Sequence, residues 1–180
     1  YWADSERGLW LVADGMGGAA AGDAASATAL DATVTALDAG IPLADAFRRA
    51  GAAILAHPGQ RSGAAPMGST LAALKLDAGG FAAARIGDSR IYVWHDGKLV
   101  RLPHAQAAID AEVASAEQSS APSRNRATQA LGSTPTLVLD AQPVTGACVM
   151  CFQGRFFSDG LTEELDDSRI VAIVSRTDLP

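Results

Sequence analysis

Cysteine is nearly missing from this 180-residue chain, which has only Cys148 and Cys151 in a single CVMC segment. One pair without a second makes a poor zinc site, and no strand–turn–helix pattern beside it points to redox chemistry. The two read as small core residues in an apolar strand, and a reducing cytoplasm is the expected compartment. Histidine is scarce as well. His57 stands before Pro58 at a helix end, His95 in a hairpin turn and His104 after Pro103. None has a partner at ligand spacing, so local hydrogen bonding is expected of them. Basic charge is short, with 14 Lys and Arg against 20 Asp and Glu and a net charge of −6. That balance speaks against nucleic acid or an anionic membrane as the main partner. No apolar run reaches the length of a membrane span. Tyr1-Trp2-Ala3-Asp4 has neither the basic nor the apolar part of a secretory signal, so none is expected. Aromatics make up 6% of the chain, and Trp2, Trp10 and Trp94 are spread along strands rather than grouped for stacking.

What remains is 48% hydrophobic, with 18 Gly and 8 Pro, enough for one globular domain with a real core. Its organising stretch is LWLVADGMGGAAAG, residues 9–22. An apolar run ends on one acid, Asp14, and Gly15, Gly17, Gly18 and Gly22 follow within eight residues. Glycine accepts positive φ and lets another group come close to the backbone, so the stretch can present an acid at a sheet edge. An isolated Asp-Gly is more simply an ordinary turn. Here, however, the pattern recurs at Asp88 and Asp159. The loop could cradle a nucleotide phosphate, but it lacks the P-loop lysine and the GxGxxG register.

Along the chain, residues 1–4 and 9–13 read as a hairpin around Ser5-Glu6-Arg7-Gly8. Residues 19–37 form an Ala-rich helix ended by Gly40, and Pro42 opens a second helix to about Ala56. Residues 60–67 read as a small-residue loop. Four short strands then follow in a predicted antiparallel meander: 68–76, 81–86, 91–94 and 98–102, turning at Asp77–Gly80 and at His95-Asp96-Gly97. Residues 103–116 suit a short helix, and 117–125 a loop with a weak helical piece after it. Residues 136–139 and 148–152 suit strands, 161–165 a helical turn, and 169–175 a last helix capped by Asp167 or Ser168. This is a one-domain α+β layout.

Asp14, Asp88 and Asp159 each end an apolar strand and each touch a glycine. Should the three strand ends meet at one rim, their carboxylates would repel, and a divalent cation would relieve that repulsion. Oxygen donors suit Mg²⁺ or Mn²⁺ rather than Zn²⁺ or Cu²⁺. Two such ions roughly 3.5–4 Å apart could ready a water for attack on a phosphate. The rival reading is three unrelated turn acids. Ser69, Thr70 and Ser158 have no Ser/His/Asp arrangement about them and read as strand-end hydrogen-bonding residues.

Asp14-Gly15-Met16-Gly17-Gly18, Gly68-Ser69-Thr70, Gly87-Asp88-Ser89-Arg90, Ala130-Leu131-Gly132 and Ser158-Asp159-Gly160-Leu161-Thr162 occur in that order. In order and spacing the chain resembles the bacterial PPM family of metal-dependent serine/threonine protein phosphatases, type 2C, from Asp4 to about Thr177. The resemblance implies a four-layer αββα sandwich of two antiparallel sheets flanked by helices. It also implies hydrolysis of phosphoserine and phosphothreonine in proteins by a metal-bridged hydroxide, opposing a Ser/Thr kinase. Asp14 and Asp159 would be the catalytic acids. Asp14, Gly15 (through its carbonyl), Asp88 and Asp159 would hold two or three Mn²⁺ or Mg²⁺ ions, and Arg90 and the ALG segment would be scaffold.

The family's opening strand carries a phosphate-gripping arginine, and its closing strand an Asp-Asn pair that completes a metal site. The chain starts after the first and stops before the second, so 1–180 is read as one partial domain, monomeric when complete. As an isolated piece it is expected to be impaired. The stretch Gln153-Gly154-Arg155 reads as an interruption of the run that enters Ser158, and residues 105–126 as the segment that sets specificity. A non-catalytic pseudophosphatase or phosphoprotein-binding module with the same fold is the alternative function.

Overall fold

A computed structural model describes residues 1–62, 66–77, 80–95, 98–101, 130–133, 144–146, 153–157 and 167–174. The chain opens with a hairpin of β1 (Trp2–Asp4) and β2 (Leu9–Val12), in the register Trp2↔Leu11. Its turn is closed by Arg7 N–H donating to Asp4 Oδ1 at 3.0 Å. Arg7 also pairs with Asp38 and lies over the Trp2 ring, 5.4 Å from its centre, which ties the hairpin to the end of the first helix.

β3 (Gly15–Met16) leads into α1 (Ala19–Asp38). Buried Gly22, Ala25, Ala29, Thr33 and Ala36 recur every three or four residues, giving α1 one apolar stripe of small side chains. Thr33 belongs to that stripe because its hydroxyl donates to Ala29 O, 2.7 Å away. The helix closes with Ile41 N–H bonded back to Ala36 O, and α2 (Leu43–Ala56) begins directly after Pro42. Its buried Leu43, Ala46, Phe47, Ala50 and Ile54 face α1 and the sheet. Fully burying a side chain such as Phe47 contributes about 2–3 kcal/mol.

The region expected to be a loop contains a short helix, α3 (Gly59–Ser62). Gln60 organises it: its Nε2 donates to Met67 O and Gly132 O, at 3.0 and 2.9 Å, and its Oε1 accepts from Met67 N–H at 2.6 Å. After it come β4 (Gly68–Ser69), β5 (Leu71–Asp77), β6 (Gly80–Ile86), β7 (Arg90–His95), β8 (Lys98–Arg101), β9 (Val144–Gly146), β10 (Gln153–Phe157) and α4 (Asp167–Val174).

The meander predicted for residues 68–102 is not one sheet. The first of its strands breaks at Thr70, and β4 pairs with β3 as a separate ribbon. β5 and β6 join a five-stranded sheet in the order β1-β2-β5-β6-β9, while β7 and β8 belong to a second sheet in the order β10-β7-β8. The chain crosses from one sheet to the other at Gly87-Asp88-Ser89. Strand periodicity marks each strand but cannot say whether a two- or three-residue link is a hairpin or a crossover. Residues 153–155 are also not an interruption, since they lie in β10 and pair with β7.

β5 shows how the layers stack. Leu71 and Ala73 join the cluster that includes Ala25, Ala29, Phe47 and Ile54, whereas Ala72 and Leu74 join Ala83 and Ile91. One face of the central sheet therefore packs on the helix pair and the other on the second sheet. The architecture is α+β, with helices, sheet and sheet as successive layers. Among the described residues no helix is long and apolar enough to cross a membrane. The predicted elements at 103–116, 117–125, 136–139, 148–152 and 161–165, together with Cys148, Cys151, His104 and the segment 105–126, lie outside the described residues.

Candidate metal centre

β2 and β6 flank β5 and are both antiparallel to it, so they run parallel to each other and end at the same rim. Val12 stands opposite Ala72, and Ala72 opposite Arg85, which puts these three residues in one row across the sheet. Asp14 lies two residues beyond that row and Asp88 three beyond it. Their backbones are therefore separated by two strand spacings, roughly 10 Å. The register of the second sheet points the same way. Phe157, two residues before Asp159, pairs with Arg90, two residues after Asp88. Asp159 itself lies outside the described residues.

The Asp14 turn is held by the start of the neighbouring strand. Asp14 N–H donates to Thr70 Oγ1 at 3.0 Å, and Asp14 O accepts from Thr70 N–H at 2.8 Å and from Ser69 Oγ at 3.1 Å. Both main-chain groups of the acid are thus fixed, and its side chain is half-buried. Ser69 in turn exchanges backbone hydrogen bonds with Leu131, at 3.0 and 2.8 Å. The Ala130-Leu131-Gly132 segment is therefore scaffold beneath the rim. Ser69 and Thr70 behave as the strand-end hydrogen-bonding residues that the sequence suggests.

Gly15 does not have the positive φ first expected of the turn; that geometry belongs to Gly17 and Gly18. Gly15 is required for another reason. A Cβ on it would meet Gly22 O at 1.8 Å, and a Cβ on Gly22 would meet Gly15 O at 2.7 Å. The first turns of α1 rest directly on the peptide that follows Asp14. Met16, next along, is exposed and lies against Gly68.

Asp88 is exposed at the crossover. Gly87 has φ +91°, and a Cβ there would come within 2.7 Å of Thr70 Cγ2. Ser89 is buried, with its hydroxyl 3.1 Å from Thr70 Oγ1. Arg85 NH1 donates to Ser89 O at 2.9 Å and to Gly87 O at 3.4 Å. Sequence reasoning named Arg90 as the anchor of this segment and passed over Arg85. The available signal was a lone cation in the small apolar run Phe81-Ala82-Ala83-Ala84-Arg85-Ile86. Gln60 was missed as well, a long polar side chain beside Arg61 in a stretch otherwise read as a loop.

The donors on this rim, the carboxylates of Asp14 and Asp88 and the carbonyl of Gly15, are all oxygen and fit a hard divalent cation. Among the described residues no three His, Cys, Asp or Glu side chains gather closely enough to share an ion. His57 is used locally, its Nδ1 accepting from Gly59 N–H at 3.1 Å.

A helix pair on a sheet, a second sheet behind it, and acid–glycine turns collected at one sheet end define an α+β sandwich protein with an oxygen-lined rim. Comparison with known proteins makes the assignment specific. The chain belongs to the protein phosphatase 2C family, whose sequence model matches residues 1–177. It is 30% identical over 177 residues to the serine/threonine protein phosphatase PstP of Mycobacterium tuberculosis, a match that covers 91% of this chain. The chain spans about a third of that relative's length, 33%. Among solved structures, that of PstP/Ppp from Mycobacterium tuberculosis superposes with a TM-score of 0.73 at 26% identity, over 94% of this chain and 76% of that one. PppA of Pseudomonas aeruginosa, a key regulatory component of T6SS, superposes with 0.74 at 27% identity, over 98% and 76%. The PstP catalytic domain in complex with two manganese ions gives 0.70 at 25% identity, over 96% and 74%.

Proposed function

We propose that residues 1–180 belong to one phosphatase domain and make up part of it, and that its chemistry is metal-dependent hydrolysis of phosphoserine and phosphothreonine in proteins. Family membership and the likeness to PstP support the reaction class. The observation that carries the site is the shared sheet end. Two registers support this reading: Val12↔Ala72↔Arg85 aligns the strands that lead to Asp14 and Asp88, and Phe157 pairs with Arg90 just beyond Asp88.

In this reading the Asp14 carboxylate, the Gly15 carbonyl and Asp159 would hold two Mn²⁺ or Mg²⁺ ions, and Asp88 with Asp159 would hold a third. Bound ions would supply positive charge for the phosphoryl oxygens and a water of lowered pKa. The protein's own part is placement. Ser69 and Thr70 fix the Asp14 backbone, and α1 buttresses Gly15 from behind. A Ser/Thr kinase is the natural opponent of such an enzyme, and residues 105–126 are the segment proposed to select among substrates.

The test is Mn²⁺-dependent release of phosphate from a phosphothreonine peptide by the full-length gene product, with Asp14→Ala and Asp159→Ala as controls. The expected result is activity that chelation removes and that either substitution lowers by about 100-fold or more. Undiminished turnover in both variants contradicts the assignment. Phosphopeptide binding without turnover would favour the pseudophosphatase reading.

A further inference from the structure

The two acidic turns are joined by a pair of side chains that are not among the proposed metal donors. Thr70 and Ser89 are both almost fully buried, at 4% and 1% exposure, and their hydroxyls lie 3.1 Å apart. Thr70 Oγ1 also accepts the Asp14 amide proton at 3.0 Å. Ser89 follows Asp88 directly, and its own carbonyl is held by Arg85. A continuous hydrogen-bonded path therefore runs from the Asp14 backbone through two buried hydroxyls to the residue after Asp88. It crosses the gap between the two sheets, because Thr70 precedes β5 while Ser89 precedes β7. The close approach of Gly87 to the Thr70 methyl, where a Cβ would sit at 2.7 Å, packs the same junction from its apolar side.

We infer that Thr70 and Ser89 are positioning residues: a buried hydroxyl pair that fixes the Asp14 turn relative to the Asp88 crossover and so sets the spacing of the cation-binding acids. This inference rests on the proposed metal centre. Outer groups that orient metal-holding side chains typically contribute 10–100-fold in metal affinity. Thr70 accounts for that scale here, since its hydroxyl is an acceptor for the amide of the acid itself. Ser89 acts only through Thr70, so its effect depends on the Thr70 hydroxyl being present.

The experiment is calorimetric titration of the 180-residue protein with Mn²⁺ alone, alongside thermal melts of each variant. Thr70→Val keeps the shape and removes the hydroxyl, and it is expected to weaken Mn²⁺ binding about 10-fold or more. Thr70→Ser restores the hydroxyl and is expected to stay within about 3-fold of the parent. Ser89→Ala is expected to fall between the two, and the double variant to bind no worse than Thr70→Val alone. Leu43→Ala, a core change in α2 far from the rim, should lower the melting temperature and leave Mn²⁺ affinity unchanged. Strictly additive losses in the double variant would overturn the inference. So would equal weakening by Leu43→Ala, or a Thr70→Ser as weak as Thr70→Val. If Thr70→Val does not fold, the Ser89→Ala and Thr70→Ser titrations decide, an unchanged affinity in Ser89→Ala counting against. A parent protein that takes up no Mn²⁺, or an Asp14→Ala variant that binds as well as the parent, would defeat the metal centre itself and this inference with it. A parent whose Mn²⁺ uptake requires Asp14 but ignores Thr70 would defeat the inference alone.

Discussion

Asp14 and Asp88 both leave strands that flank β5, yet their turns are held in different ways. Asp14 has its amide and carbonyl bonded to Ser69 and Thr70, and the peptide after it lies against the first turns of α1. Asp88 is exposed, and the bonds around it go to its neighbours, from Arg85 to the carbonyls of Gly87 and Ser89. The first turn holds its acid through that acid's own backbone. The second holds the crossover, and the acid projects from it. The difference fits the proposed site, in which Asp14 would need a fixed position and Asp88 would tolerate a freer one.

The sharpest way to break this contrast is at Gly15. Gly15→Ala forces a Cβ to within 1.8 Å of Gly22 O, a backbone atom that only a shift of α1 can relieve. A loss of about 3 kcal/mol or more is expected, read from urea unfolding, because overpacking of this kind costs 1–3 kcal/mol even where side chains can yield. Gly22→Ala probes the contact from the other side. Gly-to-Ala inside a helix ordinarily gains about 1 kcal/mol, but the 2.7 Å approach to Gly15 O reverses the sign. A stabilised Gly22→Ala would show that α1 does not rest on the Asp14 turn.

Gly87→Ala is milder, at about 2 kcal/mol, since it combines a positive-φ penalty with a less severe clash, against Thr70 Cγ2 at 2.7 Å and Cβ at 2.9 Å. The smallest effect is predicted for Asp88→Ala. An exposed acid on a turn should change unfolding free energy by less than about 0.5 kcal/mol. It should also lower phosphopeptide hydrolysis by less than about 10-fold, against about 100-fold or more for Asp14→Ala. Equal losses from the two substitutions, measured side by side at saturating Mn²⁺, would erase the distinction between the turns.

Much of this arrangement is legible in the residues. The hairpin around Arg7, the two helices with their break at Gly40-Ile41-Pro42, and strands β2, β5 and β6 of the central sheet follow from periodicity and turn chemistry at nearly the observed bounds, whereas its edge strand β9 (Val144–Gly146) does not. The partition of strands between sheets is not legible. Gly87-Asp88-Ser89 looks like any tight turn until the burial of Ser89 and the pairing of β7 with β10 show that it is a crossover. Nor is the reason for Gly15, which comes from a helix residue seven positions later rather than from its own dihedral angles. Arg85 and Gln60 act through long side chains that reach carbonyls distant in sequence or across a turn, and pattern reading has no term for such bonds. Asp14, by contrast, is marked locally: an acid between an apolar run and glycine needs no tertiary knowledge to attract notice.

The most direct measurement is an anomalous-scattering map at the manganese edge from crystals of the protein grown with Mn²⁺. Density at the Asp14 carboxylate, with the Asp159 side chain reaching the same ion and Asp88 close by, is the predicted result. An Asp14 side chain bearing no ion, with Asp159 turned to another face of the molecule, would contradict it.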